Sequence, residues 1–172
     1  SERTKDDDIR QFSLLEGDKP KIILTDDLLA QVKAIAQFFR QASKRWKLPI
    51  YAGVVLAPNT ELGYMLAHQL SFSGLRAEWI ESKDITLTRR CIKVLSLHAT
   101  KGLEFPFVAI VGLQDKLLPQ ATHHLPDDER EELLNQERRL FYVGCSRAMR
   151  SLLVCGSRSN PSPFLAGLEN SY

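Results

Sequence analysis

The segment VLSLHATKGLEFPFVAIVG (residues 94–112) decides the fold, because it places two short apolar runs on either side of a polar loop. Both runs are rich in β-branched residues, which is typical of strands buried on both faces of a parallel sheet. The loop between them carries a hydroxyl, an imidazole, an amine and a carboxylate, at Ser96, His98, Lys101 and Glu104. Such a loop at the ends of buried strands favours a binding site, and the alternative is an ordinary solvated turn.

The same alternation of strands and helices extends over the rest of the chain. Apolar runs predict strands at 21–25, 53–57, 77–80, 91–97, 107–112 and 151–155. A 3.6-residue apolar spacing predicts helices over about 28–45, 61–71 and 127–148. This order predicts one α/β domain over 1–172, with a mostly parallel sheet, helices on both faces and a lead-in segment at 1–20. Ligands are expected at the carboxyl ends of the strands.

The last predicted helix contains the second polar segment, QERRLFYVGCSRA (residues 136–148). We expect Leu133, Leu140, Phe141 and Val143 to face the sheet, and Arg139 and Arg147 to lie about two turns apart. Small residues surround Arg147, so its guanidinium can approach a partner closely, and its planar fork suits a phosphate. The alternative is a solvated basic helix paired with Glu132 and Glu137, and we prefer that alternative for Arg138.

Composition bounds the possible classes of protein. With 172 residues, 44% hydrophobic and 26% charged, the chain fits one globular domain and not a disordered segment. A formal net charge of +2 means that any nucleic-acid contact depends on local placement of charge. The histidines and the three cysteines show no metal-ligand spacing, so we expect no metal site, reduced thiols and a cytoplasmic location.

The sequence predicts neither a membrane span nor a signal peptide. No apolar run approaches the length that a membrane span needs, and residues 1–10 are too polar for a signal peptide. The chain starts at Ser1 without a methionine, so we expect a piece of a longer protein.

Taken jointly, SLHATKGLEF (96–105) and QERRLFYVGCSRA (136–148) resemble motifs V and VI of the UvrD/Rep-type superfamily 1 DNA helicases. VGLQDKLLP (111–119) and SPFL (162–165) are also similar to that family. The resemblance is tight over about 92–156 and looser over 21–80. It implies a second, C-terminal RecA-like domain with the three-layer sandwich of that fold, taken from an ATP-dependent DNA helicase or translocase.

The resemblance implies a role for each residue at the nucleotide. In this family ATP lies between two RecA-like domains, and single-stranded DNA crosses both. Arg147 would be the arginine finger that stabilises charge on the γ-phosphate during phosphoryl transfer. Glu104 would meet the ribose, and Gly102 would permit a close backbone approach. Lys101 would orient the loop or touch a ligand, and Arg139 would brace Arg147 or pair with an acidic neighbour.

The same resemblance assigns the DNA contacts to three residues. Ser96 and His98 would touch the single strand, and Asn59 would meet its backbone at a helix N-terminus. One loop would then connect nucleotide and DNA, as coupling of hydrolysis to stepping requires. Ala57 and Pro58 differ from relatives, which often carry an arginine and a small hydroxyl residue there.

Two elements of the family are absent from the sequence. There is no G-x-x-x-x-G-K-[ST] pattern and no acidic Walker B-like strand, so ATP and Mg²⁺ would be bound mainly by an N-terminal RecA-like domain outside this chain. We therefore expect the chain alone to be inactive. Relatives carry a large accessory domain where this sequence has only residues 81–91.

Two other functions compete with the motor domain. The chain could be a non-catalytic RecA-like module that binds nucleic acid or protein, or part of a helicase–nuclease. No carboxylate cluster with a nearby lysine indicates a nuclease, so that class ranks last.

Overall fold

The computed structural model describes residues 18–81, 89–100 and 102–169. Its strands are β1 (Lys21–Leu24), β2 (Gly53–Ala57), β3 (Ala77–Trp79), β4 (Ile92–Ser96), β5 (Phe105–Leu113) and β6 (Ala148–Gly156). Its α-helices are α1 (Leu28–Trp46), α2 (Thr60–Phe72), α3 (Asp127–Ser146) and the short α4 (Leu165–Glu169). Single 3₁₀ turns lie at Ile50–Ala52 and Leu97–Ala99.

The six strands form one sheet in the order β1-β6-β5-β2-β4-β3. Every strand pair in this sheet is parallel, which confirms and extends the expectation of a mostly parallel sheet. The register sets Ala57 beside Ser96, Gly53 beside Phe107, and Phe105 beside Ala148. These pairings decide which loops meet at each edge of the sheet.

Helices cover both faces of the sheet, as the sequence predicted. Alternate strand residues point to opposite faces, so Val55 and Phe107 pack in the core under α1 and α2, whereas Leu56 and Val108 pack in the core that includes Phe141 of α3. Both cores are almost wholly apolar and fully buried. The molecule is therefore a three-layer α/β sandwich.

Helices α1 and α2 begin at side-chain caps and end near their predicted limits. Asp27 accepts a hydrogen bond from the Leu29 amide at 3.0 Å, and Asn59 accepts one from the Leu62 amide at 2.8 Å. Gly74, at φ 100°, follows α2 in the left-handed conformation that ends helices. Asp27 lies three residues after the last residue of β1 and Asn59 two residues after that of β2, so both caps fix where a helix begins after a short turn from the sheet.

Helix α3 ends earlier than predicted. It stops at Ser146, and Arg147 is the single residue between α3 and β6, whose first residue Ala148 pairs with Phe105. Pairing of β6 with β5 overrides the helical pattern that continues through this segment. The prediction that Val143 faces the sheet was also wrong, since 39% of Val143 is exposed. Val143 comes two positions after the buried Phe141, and residues two positions apart point to opposite sides of a helix.

Some predictions fall on residues outside the described part of the chain. They concern most of the lead-in segment, residues 1–17, and most of the short connector, residues 82–88. None of the helices in the described ranges is long and apolar enough to cross a lipid bilayer.

Candidate functional site

One loop, residues 97–104, joins two opposite edges of the sheet. It leaves β4 after Ser96, which is level with Ala57 near the carboxyl edge. It enters β5 at Phe105, five residues before Ile110, which is level with Leu56. Five strand residues span about 17 Å, so the loop runs back over most of the height of the sheet. The residues at its two ends therefore belong to different surfaces.

At the amino edge, Arg147 is bound to this loop through backbone and side chain. The Phe105 amide donates to the Arg147 carbonyl oxygen at 2.8 Å. In the guanidinium group, Nη1 donates to the Leu103 carbonyl at 3.2 Å, Nε to the Val143 carbonyl at 3.2 Å, and Nη2 to Ser146 Oγ at 3.3 Å. A guanidinium has five N–H groups, so among the described residues these three bonds leave two N–H groups for another ligand.

The predicted nucleotide-binding residues share this amino edge. Gly102 is exposed at φ 80°, and a Cβ built on it would meet nothing within 4 Å. Glu104 is exposed and precedes the first residue of β5, one residue after the Leu103 carbonyl that Arg147 binds. The space where a Gly102 side chain would stand is therefore open, one residue before the Leu103 carbonyl that Arg147 binds. Lys101 lies outside the described residues.

At the carboxyl edge, Ser96 and His98 form a compact turn. The Ser96 hydroxyl accepts a hydrogen bond from the His98 amide at 3.2 Å and lies 3.4 Å from Nδ1 of the same imidazole. The buried Thr100 donates to the Leu97 carbonyl at 3.1 Å, which closes the turn beneath them. The His98 side chain is left exposed at the end of β4.

Asn59 lies on the same edge, after the neighbouring strand β2. Its Oδ1 is occupied by the α2 cap, since it accepts from the Leu62 amide at 2.8 Å. The amide nitrogen Nδ2 retains two donors that no hydrogen bond within the described ranges uses. Because Ala57 and Ser96 are paired, Asn59 and His98 follow adjacent strand ends.

The predicted site residues thus divide into two groups. The residues assigned to DNA (Asn59, Ser96, His98) lie at the carboxyl edge, where ligands were expected. The residues assigned to the nucleotide (Gly102, Glu104, Arg147) lie at the amino edge, away from the carboxyl ends of the strands. The cause is the returning loop, which places one polar segment at both edges.

The other arginines of α3 differ from their predicted surroundings. Within the described ranges, Arg139 is exposed and makes no hydrogen bond or ion pair to Arg147. Arg138 donates to Asn135 at 3.0 Å and lies over the Phe164 ring at 5.4 Å, so the prediction that Glu132 and Glu137 pair with it was wrong.

Glu137 is instead buried inside the fold. Its carboxylate accepts a hydrogen bond from the Gln120 amide at 2.8 Å, which ties α3 to the loop after β5.

The hydrogen-bond partners of Arg147 were not predicted from the sequence. Two of them are backbone carbonyls, which no residue pattern indicates. The Ser146 hydroxyl beside Arg147 was the only one with a signal in the sequence.

Two surface cavities are lined by residues other than the predicted ligand residues. One, of about 370 Å³, lies between the N-terminus of α1 and the ends of β5 and β6. The other, of about 450 Å³, is lined by residues that include Asp18, Lys21 and Arg45. Among the described residues, no group of three or more His, Cys, Asp or Glu side chains could hold a metal.

A carboxylate beside the first cavity joins two loops. The Ser157 hydroxyl and the amides of Arg158 and Ser159 donate to Asp26, and the Ser157 bond in particular holds the pKa of this carboxyl below its ordinary 3.8. The contact fixes the β1–α1 loop against the segment after β6. Its partners are all internal, so it is a structural contact.

Comparison with known proteins identifies close relatives of the chain. A family model described as the UvrD-like helicase C-terminal domain matches residues 5–159. "ATP-dependent DNA helicase PcrA" of Leuconostoc citreum is 36% identical over 108 residues, which cover 57% of this chain and 14% of that protein. "ATP-dependent DNA helicase Rep" of Escherichia coli K12 is 44% identical over 87 residues, covering 45% of this chain and 12% of that protein.

A solved structure has the same fold. It is the crystal structure of the C-terminal domain of a possible DNA helicase from Lactobacillus plantarum, with a TM-score of 0.67 and 21% identity over 98% of this chain and 94% of that one. The match confirms the predicted α/β class. The chain itself spans about one seventh or less of the curated relatives that it matches.

Proposed function

Because the chain belongs to the UvrD-like helicase C-terminal domain family, we propose that it is the second RecA-like domain, residues 1–172, of an ATP-dependent DNA helicase or translocase. It supplies one side of an ATP site and part of the track for single-stranded DNA. An N-terminal RecA-like domain of the same parent protein supplies the other side. The curated relatives carry names of ATP-dependent DNA helicases, which supports this activity for the parent.

The observation that carries the proposal is the path of the 97–104 loop. Its first turn holds His98 at one edge of the sheet, and its end accepts a hydrogen bond from Arg147 at the other. A ligand that moves this loop at the DNA edge also moves the Leu103 carbonyl, which is a hydrogen-bond acceptor of Arg147. Such a connection is what coupling between two ligand sites requires.

At the amino edge, Arg147 acts as the arginine finger. Its two uncommitted N–H groups are available to a γ-phosphate, and the three bonds already made hold the fork in place. A fixed, permanently charged group of this kind stabilises charge that develops in phosphoryl transfer without reorganising. Glu104 binds the ribose, and open space at Gly102 lets the nucleotide approach the backbone. Lys101 orients the loop at this edge, whereas Arg139 is assigned no role because it makes no hydrogen bond or ion pair to Arg147 within the described ranges.

At the carboxyl edge, Ser96, His98 and Asn59 contact single-stranded DNA. The exposed imidazole of His98 is oriented by Ser96, so it presents a defined edge to a base or sugar. Asn59 offers Nδ2 to a phosphate at the N-terminus of α2, where backbone amides also favour an anion. The two contacts follow neighbouring strands, as a strand that crosses the edge requires.

ATP·Mg²⁺ is held mainly by the partner domain, since this sequence carries no phosphate-binding loop. The chain by itself is therefore inactive. We also place the parent protein in the cytoplasm, which three buried free cysteines support.

The proposal is tested by measuring ATP hydrolysis of the purified 172-residue chain and of the parent protein, each with and without single-stranded oligonucleotide. We expect no turnover by the chain alone and DNA-stimulated turnover by the parent. Robust hydrolysis by the isolated chain, or a parent protein that hydrolyses no ATP under any DNA condition, would contradict it.

A further inference from the structure

An exposed aromatic pair lies at the edge of the sheet that ends in β3. The rings of Tyr64 on α2 and Trp79 at the end of β3 have centroids 5.7 Å apart and are inclined by 32°. The exposed fraction of Tyr64 is 58%, whereas Trp79 is half-buried and packs against the core under α1 and α2. One ring is thus anchored, and the ring beside it faces solvent.

The anchoring of Trp79 is tight. A Cβ placed on Gly63 would lie 2.2 Å from the Trp79 ring, so a glycine is needed for the indole to lie flat against α2. At the other end of the ring, Nε1 donates to Glu81 at 3.0 Å. Contacts on two sides therefore fix the indole, and Tyr64 rests on a rigid support.

The strand register places this pair beside the proposed DNA edge. Trp79 is level with Val94 of β4, and both side chains belong to the core under α1 and α2. Ser96 is the next β4 residue on that face, because strand side chains alternate. Tyr64 is five residues after Asn59, a little more than one turn along α2. Trp79 therefore lies one strand beyond Ser96 on the same face of the sheet, two residues or about 7 Å nearer the amino edge.

Charge near the pair does not exclude a nucleic acid. Glu78 on β3 is bound by both Arg76, at 3.3 Å, and Arg89, at 3.1 Å. Partial burial is the largest single effect and raises the pKa of the Glu78 carboxyl, but the two guanidinium groups together contribute to holding the pKa below its ordinary 4.5. A phosphate chain passing β3 thus meets two arginines and the compensated carboxylate of Glu78, as well as the carboxylate of Glu81 beside Trp79.

We propose that Tyr64, supported by Trp79, is a stacking site for one unpaired base of single-stranded nucleic acid. The inference rests on the proposed function, since it extends the DNA track of that function by one base. An aromatic ring held rigidly with a free face is what sequence-independent stacking needs. A protein partner is the alternative occupant, and it would use the other exposed aromatic of α2, Phe72, as well.

The test measures binding of the 172-residue chain to fluorescent oligo(dT) and to an oligonucleotide of the same length with abasic sites. We expect Tyr64→Ala to weaken oligo(dT) binding by about five- to a hundredfold, and Tyr64→Phe to retain it. The abasic oligonucleotide should bind Tyr64→Ala and the unaltered chain equally, because no base is present to stack. The slope of log K against log salt should not change, since no phosphate contact is removed.

Phe72→Ala is the matched control, because Phe72 is 87% exposed on the same helix and eight residues from Tyr64. Equal weakening by Phe72→Ala and Tyr64→Ala would overturn the stacking site in favour of a broader apolar face. Unchanged oligo(dT) binding by Tyr64→Ala, while His98→Ala weakens it, would overturn the stacking site alone. An unaltered chain that binds no oligonucleotide would overturn the DNA edge together with it.

Discussion

The Arg147 guanidinium donates a hydrogen bond to the Leu103 carbonyl oxygen at 3.2 Å, although the two residues are 44 positions apart in the chain. The reverse strand contact, from the Phe105 amide to the Arg147 carbonyl at 2.8 Å, holds the same two segments together. The orientation of the arginine is therefore set by the last residues of the 97–104 loop.

The hydrogen bond between Arg147 and Leu103 offers a physical path for the proposed coupling between the DNA edge and the nucleotide edge. The loop starts at the turn that holds His98, so a ligand that shifts this turn also shifts the acceptor of Arg147. Without the Leu103 acceptor, the guanidinium would keep only contacts to its own helix end, at Val143 and Ser146. The loop therefore helps to fix the orientation of the Arg147 guanidinium, which contacts within α3 alone do not determine.

Replacement of His98 tests the DNA edge. We expect His98→Ala to weaken binding of single-stranded oligonucleotide by about two- to tenfold, the cost of one hydrogen bond, measured by fluorescence anisotropy. His68→Ala is the control, since His68 is exposed farther along α2. Equal affinities for the His98 variant and the unaltered chain would remove His98 from the DNA track.

Replacement of Gly63 tests the packing of Trp79 on α2. A methyl group at Gly63 meets the rigid indole at 2.2 Å, and overpacking of this kind costs about 1–3 kcal/mol. The higher helix propensity of alanine offsets about 1 kcal/mol, so we expect Gly63→Ala to lower the free energy of unfolding by about 1 kcal/mol in urea denaturation. His68→Ala on the same helix should stay within about 0.5 kcal/mol. A stabilised Gly63→Ala variant would show that the indole is free to move.

Replacement of Asp26 tests the contact between the loops after β1 and β6. Hydrogen bonds from Ser157 and its neighbours hold the pKa of Asp26 below its ordinary 3.8, so the ionised carboxylate stabilises the fold. This stabilisation is present above about pH 4 and disappears as the pH falls through the lowered folded-state pKa. Asp26→Asn should therefore lower the melting temperature at pH 7, with a difference that narrows toward pH 3. A difference that stays constant over this range would contradict the assignment.

The cysteines give a test of burial. Cys91, Cys145 and Cys155 are free and buried, and burial raises the pKa of all three thiols, that of Cys155 to about 12. Because the thiolate is the reactive form, a disulfide reagent at pH 8 should modify the folded chain slowly and all three thiols at once after denaturation. Rapid modification of three thiols in the folded chain would show that the core opens readily.

Local sequence predicted the fold well because its strands are continuous apolar runs. The prediction at 53–57 matches β2, and the caps at Asp27 and Asn59 mark where α1 and α2 begin. The end of α3 could not be predicted in this way. Apolar and small residues continue at helical spacing up to Ala148, and only the pairing of Ala148 with Phe105 ends the helix.

The candidate site was predicted in its residues but not in its arrangement. Ser96 and Glu104 belong to one short polar segment, so the sequence indicated a single site at the strand ends. The sheet separates Ser96 and Glu104 in two ways. Strand β2 lies between β4 and β5, and the connecting loop runs from the carboxyl edge back to the amino edge because the strands are parallel. The acceptors of Arg147 were equally hidden, since the Leu103 and Val143 carbonyls are backbone atoms.

The most direct test of the account is the kcat for DNA-stimulated ATP hydrolysis by the parent protein carrying Arg147→Ala. We expect kcat to fall by about 10³- to 10⁵-fold with the affinity for ATP nearly unchanged, as for loss of an arginine finger. Arg138→Ala is the matched control, because Arg138 lies on the same helix but contacts Asn135 and Phe164, and its kcat should stay near that of the unaltered protein. An Arg147→Ala variant that is folded and turns over ATP as fast as the Arg138→Ala control would contradict the arginine-finger role of Arg147.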